Sequence, residues 1–186
     1  MENGSKKELA ISKDNSIIFS RQELFQICVK ETNMEKTFED QFMELQADMV
    51  SVCLEYIGRN AKTIYIYCSY ESNMYSFDVF YEVNNVIIHS HKVNDIITDE
   101  SKKIDTSPNR QGQVLDIGID DLEKIHKLCI ANNRDMPTEF KLVYDVEHNN
   151  LNTNYKYELQ YSNTDDLQPD FIFEKWYEEV KHNVEG

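Results

Sequence analysis

Three groups of residues in this chain have the types and spacing that chemistry requires: a histidine pair, three acidic pairs and a run of tyrosines. His89 and His91 lie two apart in the β-rich run NVIIHSH, so both side chains leave one face of a strand, a spacing that can supply two metal ligands. No third ligand accompanies them, and the predicted environment is an exposed polar strand face. His126, His148 and His182 fall in a helix, a turn and a helix end, without the neighbouring Ser or Cys plus carboxylate that a nucleophilic triad needs.

The pairs Asp120–Asp121, Asp165–Asp166 and Glu178–Glu179 raise general acid–base catalysis, which needs two carboxylates held in different environments. Both Asp pairs stand where helices are predicted to begin and where carboxylates stabilise the helix dipole, and Glu178–Glu179 decorates a solvated face. DIGIDDLE, Asp116 to Glu123, does not match the twelve-residue oxygen pattern of a calcium loop. GxGxxG, GxxxxGK[ST], HExxH and GxSxG are all missing. No catalytic, cofactor-binding or metal residue is assigned, and the chain is expected not to be an enzyme. Tyr155, Tyr157 and Tyr161 alternate with Lys156, Glu158 and Gln160 and are expected on one strand face. Two readings stay open: aromatic core beneath the last helix, or anchors of an acidic-rimmed protein interface, where Tyr and Trp are over-represented.

The elements that must position these residues follow from periodicity. Phe38, Phe42, Leu45, Met49, Val52, Cys53, Tyr56 and Ile57 recur at spacings of three and four, predicting a long amphipathic helix that Gly58 and Asn60 help end. TIYIYCSY, MYSFDVFYEV and NVIIHSH, separated by Glu71–Asn73 and Asn84–Asn85, predict an antiparallel meander. Residues 92–118 read as a long loop with at most short helical pieces. A second helix, capped by Asp120 or Asp121, then buries Leu122, Ile125, Leu128 and Cys129. TEFKLVYDV and LNTNYKYELQY flank the turn EHNN as a hairpin. Pro169 opens a last helix with Phe173, Trp176, Tyr177 and Val180 on one side. The expected class is α+β, an antiparallel sheet of about five strands covered by helices on one face, in the order α-β-β-β-α-β-β-α. Residues 34–186 form that single domain. Residues 1–33 are an appendage with a short helix from about Arg21, marked by the capping-box spacing of Ser20 and Glu23 and the staple pair Phe19 and Leu24.

Composition narrows the partners. The 186-residue chain carries 19 basic and 34 acidic residues, net −15, a field that repels nucleic-acid phosphates and anionic lipid and attracts basic proteins. The apolar fraction of 40%, with 11 Tyr and 9 Phe, is enough for a folded core. Cys28, Cys53, Cys68 and Cys129 show no CxxC or zinc spacing and sit in apolar surroundings, as free thiols of a reducing compartment do. No signal-peptide core or membrane-length apolar run occurs, so a cytoplasmic protein without membrane contact is expected.

The run MPTEFKLVYDVEHNNLNTNYKYELQYSNTDDLQPDFIFEKWYEEVK (Met136–Lys181), with FEDQFMELQADMVSVCLEYI and TIYIYCSYE before it, resembles the YezG-like family of antitoxin or immunity proteins of Gram-positive bacteria. The likeness spans most of residues 36–182. It implies a cytoplasmic partner of a secreted polymorphic toxin, often of the LXG type exported by type VII secretion and in several cases a nuclease. It also implies neutralisation by binding alone, with no cofactor and no catalytic residues to transfer. With the net charge, it predicts an acidic interface over a basic C-terminal toxin domain, made by Asp165, Asp166, Asp170, Glu174 and Glu178, with Tyr155 and Tyr157 as anchors. Trp176 is expected to point away from Glu174 and Glu178, into the core. Two alternatives stand beside this: a small acidic adaptor for a non-toxin protein partner, and a carboxylate hydrolase.

Overall fold

Thr37 caps the first described helix by accepting a hydrogen bond from the Asp40 amide while the Asp40 carboxylate reaches back to the Thr37 amide, a reciprocal cap that satisfies two orphan donors. The computed structural model describes residues 36–164 and 167–186; the expected N-terminal helix near Arg21, Cys28, and Asp165 and Asp166 lie outside them. Thr37–Gly186 form one compact unit.

From that cap, helix α1 runs Phe38–Ile57 and ends at Gly58, whose φ of 64° is a conformation that favours glycine. Strands β1 (Thr63–Glu71), β2 (Met74–Val83) and β3 (Val86–His89) follow as the predicted meander. Their two hairpins turn on Ser72–Asn73 and Asn84–Asn85, all four at positive φ, the conformation whose twist suits two-residue hairpins and which Asn tolerates. After two short 3-10 turns come helix α2 (Pro108–Ala131), the hairpin β4 (Glu139–Asp145) and β5 (Asn150–Lys156), and helix α3 (Pro169–Glu185). The sheet order is β3-β2-β1-β4-β5, antiparallel throughout. The α+β class and the order α-β-β-β-α-β-β-α are therefore as expected.

Three expectations need correction. Helix α2 starts at Pro108, twelve residues before Asp120: Ser107 Oγ accepts from the Arg110 amide at 3.3 Å, and proline at the first helical position needs no hydrogen-bond partner. Asp120 and Asp121 are thus mid-helix, not caps. The first turns of α2 carry few apolar residues, so periodicity does not mark them. At Gly118 the helix lies tight against the sheet, where a Cβ would overlap the ring of Phe77.

Second, helices cover both faces of the sheet. Ile64, Ile66 and Cys68 of β1 pack under α1 and α2 with Met49, Cys53, Leu122 and Ile125. The alternate residues Tyr65 and Tyr67 pack under α3 with Phe80, Phe173, Trp176 and Tyr177. A central strand buried on both sides reads as a continuous apolar run, and β1 does so. Third, β5 ends at Lys156, so the three tyrosines do not share one strand face.

Candidate functional site

Helix α3 is held down by Phe173, Trp176 and Tyr177, all buried, as the spacing predicted. Tyr177 donates to the Ile87 carbonyl at 3.1 Å, and the Ile87 amide donates to Glu185 at 3.0 Å, which ties the helix to edge strand β3 and occupies part of a strand edge otherwise open to pairing. Asp170, Glu174 and Glu178 are spaced by four and exposed, so they form one stripe along the helix flank. That flank borders β2 and β3. Asp170 and Glu174 act electrostatically on Asp78 of β2, and Glu174 and Glu178 on His89.

Beside the stripe is a pocket of about 250 Å³ lined by Tyr56 of α1, Asp78 and Val79, His89 to His91, Gln111, Val114 and Leu115 of α2, and Phe173 and Glu174 of α3. It exists because β3 stops at His89, opposite Phe80, and leaves the neighbouring segment of β2 without a partner strand. Asp78 projects to the α3 face and accepts from Ser76 Oγ at 3.1 Å. Burial, and to a lesser degree the charges of Asp170 and Glu174, push its carboxyl up to about 6. His89 lies 3.9 Å ring to ring from Tyr177, 5.6 Å from His91, and its Nε2 is 3.5 Å from Glu174. Burial lowers the His89 pKa; the Glu174 charge opposes this without reversing it. The two rings thus share a site but not the strand face predicted for them: His89 ends β3 as half-buried pocket wall, whereas His91 lies in the following 3-10 turn and is exposed. Among the described residues no group of three His, Cys, Asp or Glu is placed to hold a metal ion.

The predicted tyrosine anchors are elsewhere. Tyr155 pairs with Phe140 across β4–β5 and belongs to the α1 face, not beneath the last helix. Its ring is 5.9 Å from Phe42, and its hydroxyl accepts from Gln46 Nε2 at 2.9 Å. Tyr155 is 40% and Tyr157 58% exposed, and both line a groove with Phe38, Phe42, Met43 and Arg134. Tyr161 is buried, its hydroxyl 3.2 Å from Ser69 Oγ. The residues proposed for one interface are therefore divided: the acidic stripe beside the sheet face under α3, the tyrosines on the opposite face.

Asp120, Asp121 and Glu71 make structural contacts. Asp121 is fully buried inside α2 with Lys124 Nζ at 2.8 Å, while Asp120 meets the same lysine at 2.7 Å. Glu71 is buried and accepts from the amides of Gln160 (2.5 Å), Tyr161 (3.3 Å) and Ser162 (2.9 Å), which fastens the segment leading to α3. The described cysteines Cys53, Cys68 and Cys129 are free and buried, and burial raises each thiol, leaving them protonated and weakly nucleophilic.

Sequence reasoning missed Asp78, Tyr56 and Gln111. The signal for Asp78 was present: it is a charge set between Phe77 and Val79 in a largely apolar strand, where an unpaired carboxylate is costly without a purpose. Tyr56 and Gln111 carry no such mark, since only packing brings α1 and α2 to that edge. No helix among the described residues is long and apolar enough to cross a membrane. The chain matches no family model and no curated protein.

Proposed function

We propose that this protein is a non-enzymatic immunity protein that neutralises a secreted protein toxin by binding its basic domain through the flank of α3. The observation that carries the reading is the stripe Asp170–Glu174–Glu178, three exposed carboxylates on one helical flank beside the half-buried Asp78. A rigid acidic strip of this kind steers and orients a basic partner while its rim stays wet. Two further observations support it: the net charge of −15, and the resemblance of the strand, hairpin and closing-helix motifs to immunity proteins. In this reading the protein works in the cytoplasm of the producing cell and blocks the toxin by occupancy. Each inhibitory complex consumes one copy, with no turnover.

The test is capture followed by protection. Tagged protein is recovered from its host at low and high salt, and any stoichiometric partner is expressed alone and with this chain. The expected partner is basic, salt-sensitive in association, toxic alone and harmless in co-expression. Changing Asp170, Glu174 and Glu178 together to lysine should slow association by at least about tenfold at low salt, with the effect shrinking at high salt. A stoichiometric partner that is not toxic would refute the immunity reading and assign the face to a regulatory complex.

A further inference from the structure

We propose that the pocket between β2, α2 and α3 is the anchor site of the acidic face, and that it takes one arginine side chain of the protein partner. The inference rests on reading this face as a docking surface, not on the partner being a toxin.

Size comes first. At about 250 Å³ the pocket falls below the usual range of small-molecule sites, roughly 300–1,000 Å³, and suits a single inserted side chain. Its walls divide by chemistry. Tyr56, Phe173 and Val114 are buried and make an apolar surface against which a planar guanidinium stacks well. Asp78, Glu174 and the Gln111 side chain supply acceptors, and Glu174 stands at the mouth with its side chain 54% exposed. Exposed Leu115, also in the lining, gives the mouth an apolar rim. Such a composite resembles the desolvated centre of an interface in which Arg is a preferred anchor.

Charge selects the occupant. The groups facing Asp78 are Asp170 and Glu174 from α3 and, across the pocket, His89, His91 and Tyr56. The nearby basic side chains are Lys92, which acts on His89, and Arg110, which is bridged to Glu55 at 2.8 Å. Among the described residues, the hydrogen-bond donor to the Asp78 carboxylate is Ser76 Oγ. An entering guanidinium supplies the missing cation, can bind a carboxylate with two parallel N–H donors, and restores the ionised form that burial disfavours.

The probe is N-acetyl-arginine amide, titrated into the isotope-labelled full chain and followed by amide chemical shifts, with the citrulline counterpart as an uncharged isostere. Saturable shifts centred on Asp78, Val79, Ser90 and Gln111, with none from citrulline, are expected. Asp78→Asn should weaken the probe by about tenfold, and Glu174→Gln, on the helix surface, by a smaller factor. Shifts that do not saturate, that citrulline reproduces, or that centre on another acidic groove would overturn the assignment, as would unchanged binding in folded Asp78→Asn. The two proposals fail separately. Probe binding without toxin protection removes the immunity reading alone, whereas protection without specific probe binding removes the arginine pocket alone.

Discussion

Gly118→Ala is the substitution for which two familiar effects have opposite signs and the packing decides between them. Gly118 lies in the middle of α2, where alanine ordinarily stabilises a helix by about 1 kcal/mol. Here the added Cβ would meet three atoms of the Phe77 ring well inside van der Waals contact. The ring is 3% exposed and packed in the cluster beneath α1 and α2, so it cannot swing into solvent. Overpacking of this kind costs roughly 1–3 kcal/mol, which outweighs the propensity gain. The expected outcome is a net loss of about 1 kcal/mol, read in urea unfolding as a lower midpoint with unchanged slope. In a Phe77→Ala background the obstruction is gone, and the same change should stabilise by up to about 1 kcal/mol relative to Phe77→Ala alone. The change also bears on the pocket, because Gln111, Val114 and Leu115 lie on the same helix, and a shift of α2 would displace that wall. If Gly118→Ala stabilises the otherwise unmodified protein, the close approach of α2 to β2 is wrong.

Glu71→Gln should cost about 1–3 kcal/mol at neutral pH, because a carboxylate accepting from three amides is replaced by a group with one acceptor oxygen. Burial opposes ionisation of Glu71, but the hydrogen bonds outweigh it and hold its pKa below the ordinary value. Its stabilisation is therefore complete above about pH 5 and lost as pH falls through the folded-state pKa, so the two proteins' unfolding midpoints should converge in acid. Asp78 has the opposite sign: its carboxyl is pushed up to about 6, and the folded state is penalised as pH rises from about 4 through that value. Asp78→Asn should accordingly raise stability by of order 2 kcal/mol at pH 8 and by little at pH 4, in thermal or urea unfolding. A gain in stability paired with weaker partner binding would be the signature of a carboxylate kept for function. On α3, Trp176→Ala should lose about 3–5 kcal/mol while Glu174→Gln stays within about 0.5 kcal/mol, the difference between a buried anchor and a solvated flank.

Much of the architecture was legible because local rules and burial agree. Asn and Ser occupy the hairpin turns, Pro169 starts α3, and the apolar spacing of α1 and α3 identifies their buried sides. The start of α2 was not legible. Between Pro108 and Gln113 no aliphatic or aromatic side chain marks a stripe, and Gly118, a poor helix former, is there because Phe77 leaves no room for a Cβ. Helix coverage of the second face could have been inferred from Tyr65 and Tyr67, which make β1 apolar on both sides.

The same division holds for the site. From sequence alone come the surplus of negative charge, the common flank of Asp170, Glu174 and Glu178, and the inward direction of Trp176, since each follows from composition or a 3.6-residue period. Only the tertiary structure separates Tyr155 and Tyr157 from that flank, because facing is set by strand register and by the end of β5 at Lys156. Only it joins Asp78 to Glu174 and Tyr56 to Phe173. These residues are far apart in the chain, and they meet because β3 ends at His89, leaving an edge of β2 where helices from opposite faces of the sheet converge on one pocket.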